Sequence, residues 1–324
     1  MRPIPAKENL TICFAHVAYR MAERFALRGA GIRHFEVRTL DDFAARIPEA
    51  DVVVVSMMWR NEFIVHAPRL AFIQSISAGT DQYSREALER ADIRLASAQG
   101  VNANAVAQHA MALILALARQ LHTGRDNQKN RLWRGMISDL SQREDELGGK
   151  TLLIVGLGRI GSRLAALARA FGMRVIATKR DPSKDAAVAD EVFSQGRLLE
   201  RLPEADVVAL TCPLTPETER LIDARALAAM KPSALLVNVA RGRVVDEPAL
   251  IDALKAKRIA GAALDCTVEE PLPADSPLWA LENAIITPHT AGETRRYEDN
   301  VIDILLENLD RLWRGETALR NQVV

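Results

Sequence analysis

The sequence predicts an α/β protein built from two doubly wound parallel-sheet domains. Short β-branched runs alternate with longer stretches of helical period through almost the whole chain, the pattern of parallel strands covered by helices. The 324 residues are enough for about two domains of ordinary size. The pattern also changes near residue 105, where one series of strands gives way to a long helix and then to a second series. Composition agrees with a folded protein, with 48% hydrophobic and 26% charged residues, and 42 basic residues against 42 acidic. That balance argues against a disordered chain and against the broad basic surface of non-specific nucleic-acid binding.

In the first region the strands fall at residues 11–15, 33–37, 51–56, 72–75 and 93–96, with helices over 16–28 and 40–47 between them. A helix over 105–121 follows, capped by Asn102 or Asn104 and lined by Val106, Ala110, Leu113, Ile114 and Leu117. Residues 122–135 are polar and basic. The second series of strands is 151–155, 174–178, 206–210, 234–237, 260–264 and 284–287. A last helical segment over 293–313 carries Val301, Leu305, Leu309 and Leu312 on one face, which needs an apolar surface to cover. No repeat or low-complexity tract interrupts the chain.

The longest unbroken apolar run, 110–118, is far shorter than the roughly 18 residues a bilayer span needs, and the opening MRPIPAKENL has no apolar signal segment. A cytoplasmic protein with no membrane partner is the expectation. Cys13, Cys212 and Cys266 are odd in number and form no metal-ligand spacing, so buried thiols in a reducing compartment are expected, with no metal.

Directly after the strand 151–155 comes Gly156-Leu157-Gly158-Arg159-Ile160-Gly161, followed by a helical run. In a dinucleotide-binding turn Gly156 permits the bend, Gly158 lets the backbone approach a pyrophosphate, and Gly161 lets the helix pack close to the strand. The helix N-terminus then offers free N–H groups to the phosphates. At the end of the next strand, where an NAD site places an acidic residue, this chain has Thr178-Lys179-Arg180. Two cations and a hydroxyl suit the 2′-phosphate of NADP, so NADP(H) is preferred and NAD(H) is possible. Asp181 leaves the NAD alternative open through a register shift, and the two cations also read as solvated surface charge.

Three polar residues then follow the ends of later strands: Arg241 in NVARG, Glu270 in EEP, and His289 after ITP. Open α/β sheets place their ligands beyond the C-terminal ends of strands. Taken singly each has an ordinary structural reading; their convergence is informative.

The segments LGGKTLLIVGLGRIG, NVARGRVVDEPAL, AALDCTVEEPLPADSPLW and ITPHTAGET resemble the successive motifs of the D-isomer-specific 2-hydroxyacid dehydrogenase family, over residues 50–300. The resemblance implies a Rossmann-type dinucleotide-binding domain, 102–292, inserted into a smaller flavodoxin-like substrate domain made of 1–101 and 293–324. It implies catalysis by Arg241, Glu270 and His289. His289 would protonate the keto oxygen, Glu270 would stabilise its imidazolium, and Arg241 would hold the substrate carboxylate and polarise the carbonyl. It implies cofactor contacts from Gly156, Gly158, Arg159, Ile160, Gly161, Thr178, Lys179, Arg180, Cys212, Pro213, Val239, Ala240, Asp265 and Gly292. Substrate contacts would come from Ser77, Ala78, Gly79 and Asn102 with Arg241 and His289. The helix 105–121 and the basic stretch after it resemble the family's dimerisation arm, which implies a homodimer.

The chain departs from the family pattern in places. Gln108 stands where relatives usually have Glu, and Thr267 and Val268 replace a Phe and an acidic residue. The functional expectation is an NADPH-preferring reductase of small 2-keto acids such as glyoxylate or hydroxypyruvate. The alternatives are an NAD-linked D-lactate or D-3-phosphoglycerate dehydrogenase and, in another class, a dinucleotide-sensing corepressor-like binding module. The phosphoglycerate reading is weakened by the absence of a clustered cationic set and of a regulatory extension past residue 324. Formate dehydrogenase is disfavoured because Glu270 stands where that branch has an amide. Met57, Met58 and Trp59 read equally as a hydrophobic substrate wall or as core. The histidines at 16, 34, 66, 109 and 122 are read as structural.

Overall fold

The computed structural model describes residues 2–183 and 187–324, and the chain divides into two compact units, Met1–Asn102 with Thr294–Val324, and Ala103–Glu293. The first unit runs β1 (Thr11–Ala15), α1 (Met21–Ala26), β2 (Arg33–Val37), α2 (Leu40–Arg46), β3 (Val52–Val55), β4 (Phe72–Ser75), α3 (Arg85–Arg90) and β5 (Arg94–Ala96). Its strands form one parallel sheet in the order β2-β1-β3-β4-β5, which is the flavodoxin-like 2-1-3-4-5 arrangement. The central strand β3 is four valines because both of its faces are covered. Val52 and Val54 pack with Phe14, Phe25 and Phe72, while Val53 and Val55 pack with Phe43, Trp59 and Phe63.

The second unit runs α4 (Ala103–Ala118), α5 (Leu121–Lys129), β6 (Thr151–Val155), α6 (Arg159–Ala170), β7 (Arg174–Thr178), β8 (Glu191–Phe193), α7 (Leu198–Arg201), β9 (Val207–Leu210), α8 (Ala224–Ala229), β10 (Leu235–Asn238), α9 (Glu247–Lys255), β11 (Gly261–Leu264) and β12 (Ala284–Ile286). Its sheet is parallel in the order β12-β11-β10-β9-β6-β7-β8. Counted from β6, that is the 3-2-1-4-5-6 order of a Rossmann sheet with one strand added. Along β6, Leu152 and Ile154 join the cluster under α4 and α6, while Leu153 and Val155 join the one under α8 and α9. The order reverses between β6 and β9, so loops leaving their C-terminal ends diverge and leave a crevice.

The chain then returns to the first unit as α10 (Tyr297–Trp313), whose Val301, Leu305, Leu309 and Leu312 pack with Phe14, Phe25 and Ile76. The last residues run beside β5, with Val323 N–H donating to Leu95 O at 2.8 Å.

Some element limits differ from expectation for local reasons. The first helix begins at Met21 rather than 16, because His16 Nδ1 accepts the N–H groups of Ala18 and Tyr19 and holds that stretch in a turn. The long helix ends at Ala118, and Gln120, at φ 49°, separates it from α5, which takes up the first half of the basic stretch. The edge strand β8 has no counterpart in the sequence reading. Among the described residues, no helix is long and apolar enough to cross a membrane, and no group of three or more His, Cys, Asp or Glu could hold a metal ion.

Candidate active site

The glycine-rich turn leaves β6 at the point where the strand order reverses. Gly156 has φ +100°, a backbone region that side chains avoid, and a Cβ there would lie 2.7 Å from Cys212 Cα in the loop after β9. Its N–H donates to Thr178 Oγ1 at 3.0 Å, and its carbonyl accepts from Thr211 Oγ1 at 2.8 Å. The turn is thus braced from β7 on one side and from β9 on the other. Gly161 is buried, and a Cβ on it would meet Gly156 O at 2.5 Å, so helix and strand touch through bare backbone. Gly158 is different: it caps α6, is exposed, and a Cβ on it would meet nothing within 4 Å. The space over Gly158 and the α6 N-terminus is what a pyrophosphate requires, so these residues fit a dinucleotide. Arg159 and Ile160 open α6 beside it.

Around this turn, Cys212 is buried and Pro213 is exposed, and burial pushes the Cys212 thiol up to about 11. Val239 and Ala240 are buried at the end of β10. At the end of β7, Thr178 is buried and its hydroxyl already serves Gly156, while Lys179 is half-buried and Arg180 exposed. Asp181 Oδ1 accepts from the N–H and hydroxyl of Ser183, at 3.2 and 2.6 Å.

The three polar residues stand beyond β10, β11 and β12, at the same edge of the sheet. Glu270 Oε2 lies 2.8 Å from His289 Nδ1, and both side chains are accessible, at 39% and 43% of their full exposure. Glu270 Oε1 also accepts the Thr267 N–H at 3.1 Å, and Glu247 at the start of α9 accepts the next N–H, of Val268, at 2.9 Å. Arg241 is exposed, with Nη1 donating to Ala240 O at 2.7 Å, and its loop is held by buried Asn238, which bonds Arg241 O and Ala240 N. Cys266 sits among all of these. Burial pushes its thiol up to about 12, the Glu270 and Asp265 carboxylates push the same way, and Arg241 opposes them.

Asp265 is 2% exposed, and its carboxylate accepts the N–H groups of Thr290 and Ala291 and the hydroxyl of Thr287. These bonds fasten the turn that contains His289; Gly292 is half-buried just after it. The sequence reading missed three braces of this site: Thr211, Glu247 and His109, whose Nε2 lies 3.0 Å from Thr287 Oγ1. Only His109 left a trace in the sequence, as a polar residue within an apolar helix.

Among protein families, the D-isomer specific 2-hydroxyacid dehydrogenase NAD-binding domain matches residues 111–291. The chain belongs to the D-isomer specific 2-hydroxyacid dehydrogenase family. It is 36% identical to a glyoxylate reductase of Pyrococcus furiosus over 86% of this chain and 85% of that one. It is 35% identical to a D-3-phosphoglycerate dehydrogenase of Mycobacterium leprae over 87% of this chain, and it spans about half, 53%, of that relative's length. A solved D-isomer specific 2-hydroxyacid dehydrogenase family protein of Aeromonas salmonicida superposes with a TM-score of 0.82 at 30% identity, covering 98% of this chain and 99% of that one. This dehydrogenase is an oxidoreductase acting on D-2-hydroxyacids, with an NAD(P)-binding domain. The corepressor alternative is thereby set aside.

In the first unit of the dehydrogenase, Ser77 is half-buried, and Ala78 and Gly79 are exposed, in the loop leaving β4. Ser77 N–H donates to Ser75 Oγ at 3.2 Å, and Tyr297 at the head of α10 donates to Ile76 O at 2.9 Å. Asn102 is half-buried at the unit's end, just after Val101, whose carbonyl accepts from Asn300 at 2.8 Å. Met58 and Trp59 are core residues, 6% and 1% exposed, and only Met57 stands out from the surface. The substrate-wall reading therefore survives for Met57 alone.

Proposed function

We propose that this dehydrogenase is an NADPH-preferring reductase of small 2-keto acids such as glyoxylate or hydroxypyruvate, working in reverse on the D-2-hydroxyacid, with Arg241, Glu270 and His289 as its catalytic residues. The observation that carries the reading is the accessible 2.8 Å pair of His289 Nδ1 and Glu270 Oε2. An ionised carboxylate only accepts, so Nδ1 carries a proton and the ring is anchored through it. The proton on Nε2 is then the one delivered to the keto oxygen, and in the reverse direction Nε2 takes it back. Arg241 holds the substrate carboxylate and draws electron density from the carbonyl as negative charge develops on its oxygen. The open space at Gly158 and the α6 N-terminus, with the loops that carry Thr178, Cys212 and Ala240, would hold the nicotinamide dinucleotide, which would supply the hydride. Ser77, Ala78, Gly79 and Asn102 are assigned to the substrate by the family resemblance.

Lys179 and Arg180 support NADPH, since both cations stand where an acidic residue would repel a 2′-phosphate. Likeness to a glyoxylate reductase supports the small substrate. A second reading, an NAD-linked phosphoglycerate or lactate enzyme, is favoured by the phosphoglycerate dehydrogenase relative. One panel of keto acids assayed with both reduced cofactors separates the two. His289→Ala is expected to lower kcat by roughly 10²- to 10⁴-fold while NADPH affinity stays within about twofold. Unchanged turnover in that variant would remove His289 as the proton donor.

A homodimer belongs to the same proposal. Leu121, Leu132, Trp133, Met136 and Leu140 are exposed in one stretch of chain, Trp133 at 97% of its full exposure. Light scattering is expected to give twice the 35.7 kDa chain mass. Trp133→Glu with Met136→Glu is expected to halve it. Buried free thiols at 13, 212 and 266 fit the reducing cytoplasm.

A further inference from the structure

His289 stands in the left-handed backbone region, at φ +54°, which a non-glycine residue keeps only where its neighbours impose it. The neighbour that imposes it is Asp265. Its buried carboxylate takes the Thr290 N–H at 3.0 Å, the Ala291 N–H at 3.0 and 3.2 Å, and the Thr287 hydroxyl at 2.6 Å. Those donors lie two residues before His289 and one and two residues after it, so the carboxylate closes the turn from both sides.

One more group reaches this clamp from far along the chain. His109, in the second turn of α4, places Nε2 at 3.0 Å from Thr287 Oγ1 and 3.4 Å from Asp265 Oδ1. A threonine hydroxyl has one proton, and here it goes to Asp265. The Thr287 oxygen can therefore only accept from His109, which fixes the proton on Nε2 of that imidazole. A histidine satisfied by chance in a helix face would need any one acceptor. This one addresses a hydroxyl and a carboxylate that are both occupied in holding the His289 turn.

We infer that His109 is a positioning residue for the reaction: its Nε2 proton orients Thr287 and Asp265, and through them aims His289 at Glu270. The inference rests on the reading of His289 as proton donor. His109 touches no reacting atom. Its effect belongs in the rate of the proton-transfer step and leaves cofactor binding alone.

The test is a double-mutant cycle in the full-length enzyme, with glyoxylate and NADPH as the probes. His109→Leu is expected to lower kcat by roughly ten- to a hundredfold with NADPH affinity unchanged. In a His289→Ala background the same substitution is expected to change kcat by less than about twofold, because the group it positions is gone. His109→Gln carries an amide N–H to the place of Nε2 and is expected to restore most of the rate. His109→Asn, equally polar but shorter, is expected not to, and this pair serves even if the leucine variant does not fold. Equal losses in both backgrounds, or equal rates for the Gln and Asn variants, would overturn the inference. A wild-type rate in His289→Ala alone overturns instead the reading beneath it.

Discussion

Two glycines at the site make opposite predictions, because one is surrounded by protein and the other is not. A Cβ on Gly242 would lie 2.0 Å from the carbonyl carbon and oxygen of Thr267, in the loop that carries Glu270. Gly242→Ala must therefore push that loop away or distort the backbone, and both stability and turnover are expected to fall. The measurements are a melting temperature and kcat. Gly158→Ala meets no protein atom within 4 Å and keeps an ordinary extended backbone, so its melting temperature is expected to match the parent. The same methyl occupies space assigned to the pyrophosphate, so its dissociation constant for NADPH is expected to rise about tenfold or more, read by cofactor fluorescence. An unchanged affinity would remove the pyrophosphate from that position. The cysteines make a simpler prediction. Burial pushes the Cys13, Cys212 and Cys266 thiols up to about 12, 11 and 12, so each stays protonated and shielded at pH 8. A thiol reagent is expected to find none of the three in the native enzyme and all of them in denaturant.

At the scale of elements, strands buried on both faces were legible because they must be apolar throughout. Val52–Val55 and residues 152–155 of β6 are such runs, and their order in the chain points to parallel sheets. The edge strand β8 is three residues long and largely half-buried, too short and too mixed to form a pattern. The helix start at Met21 depended on His16 bonding backbone N–H groups, a competition that periodicity does not report. The site was legible as motifs and as residue types after strands, and its contacts were not. The contact between Glu270 and His289 joins side chains 19 positions apart, and that of His109 with Thr287 spans 178, so both are consequences of sheet order. On the proposed reading, cofactor choice turns on the loop after β7. Thr178 Oγ1 accepts the Gly156 N–H and keeps its own proton to donate, and Lys179 and Arg180 follow it with the charge that the proposed NADPH preference needs. Replacing Lys179 and Arg180 together by Asp is expected to lower the ratio of kcat/KM for NADPH over NADH by about tenfold or more, since like charges then face the 2′-phosphate. A ratio that does not move would place the discrimination elsewhere.

For the whole molecule, a ligand that binds only the folded chain stabilises it by mass action, and the amount follows from its concentration over its dissociation constant. At a hundredfold excess this is about 2.7 kcal/mol. The glycine turn and its braces lie wholly in Ala103–Glu293, a unit with apolar clusters on both faces of its own sheet. Units of that size gain roughly 2–4 °C for each kcal/mol, so NADPH is expected to raise the calorimetric melting temperature by roughly 5–10 °C. NADH at the same concentration is expected to raise it less, because the proposed preference for NADPH implies a smaller ratio for NADH. Gly158→Ala, with an unaltered melting temperature alone, is expected to lose most of the NADPH shift. This combination separates a cradle built for phosphate from a glycine needed by the fold. A full shift in the variant would place the cofactor away from the α6 N-terminus, and a larger shift with NADH would reverse the assignment of Lys179 and Arg180.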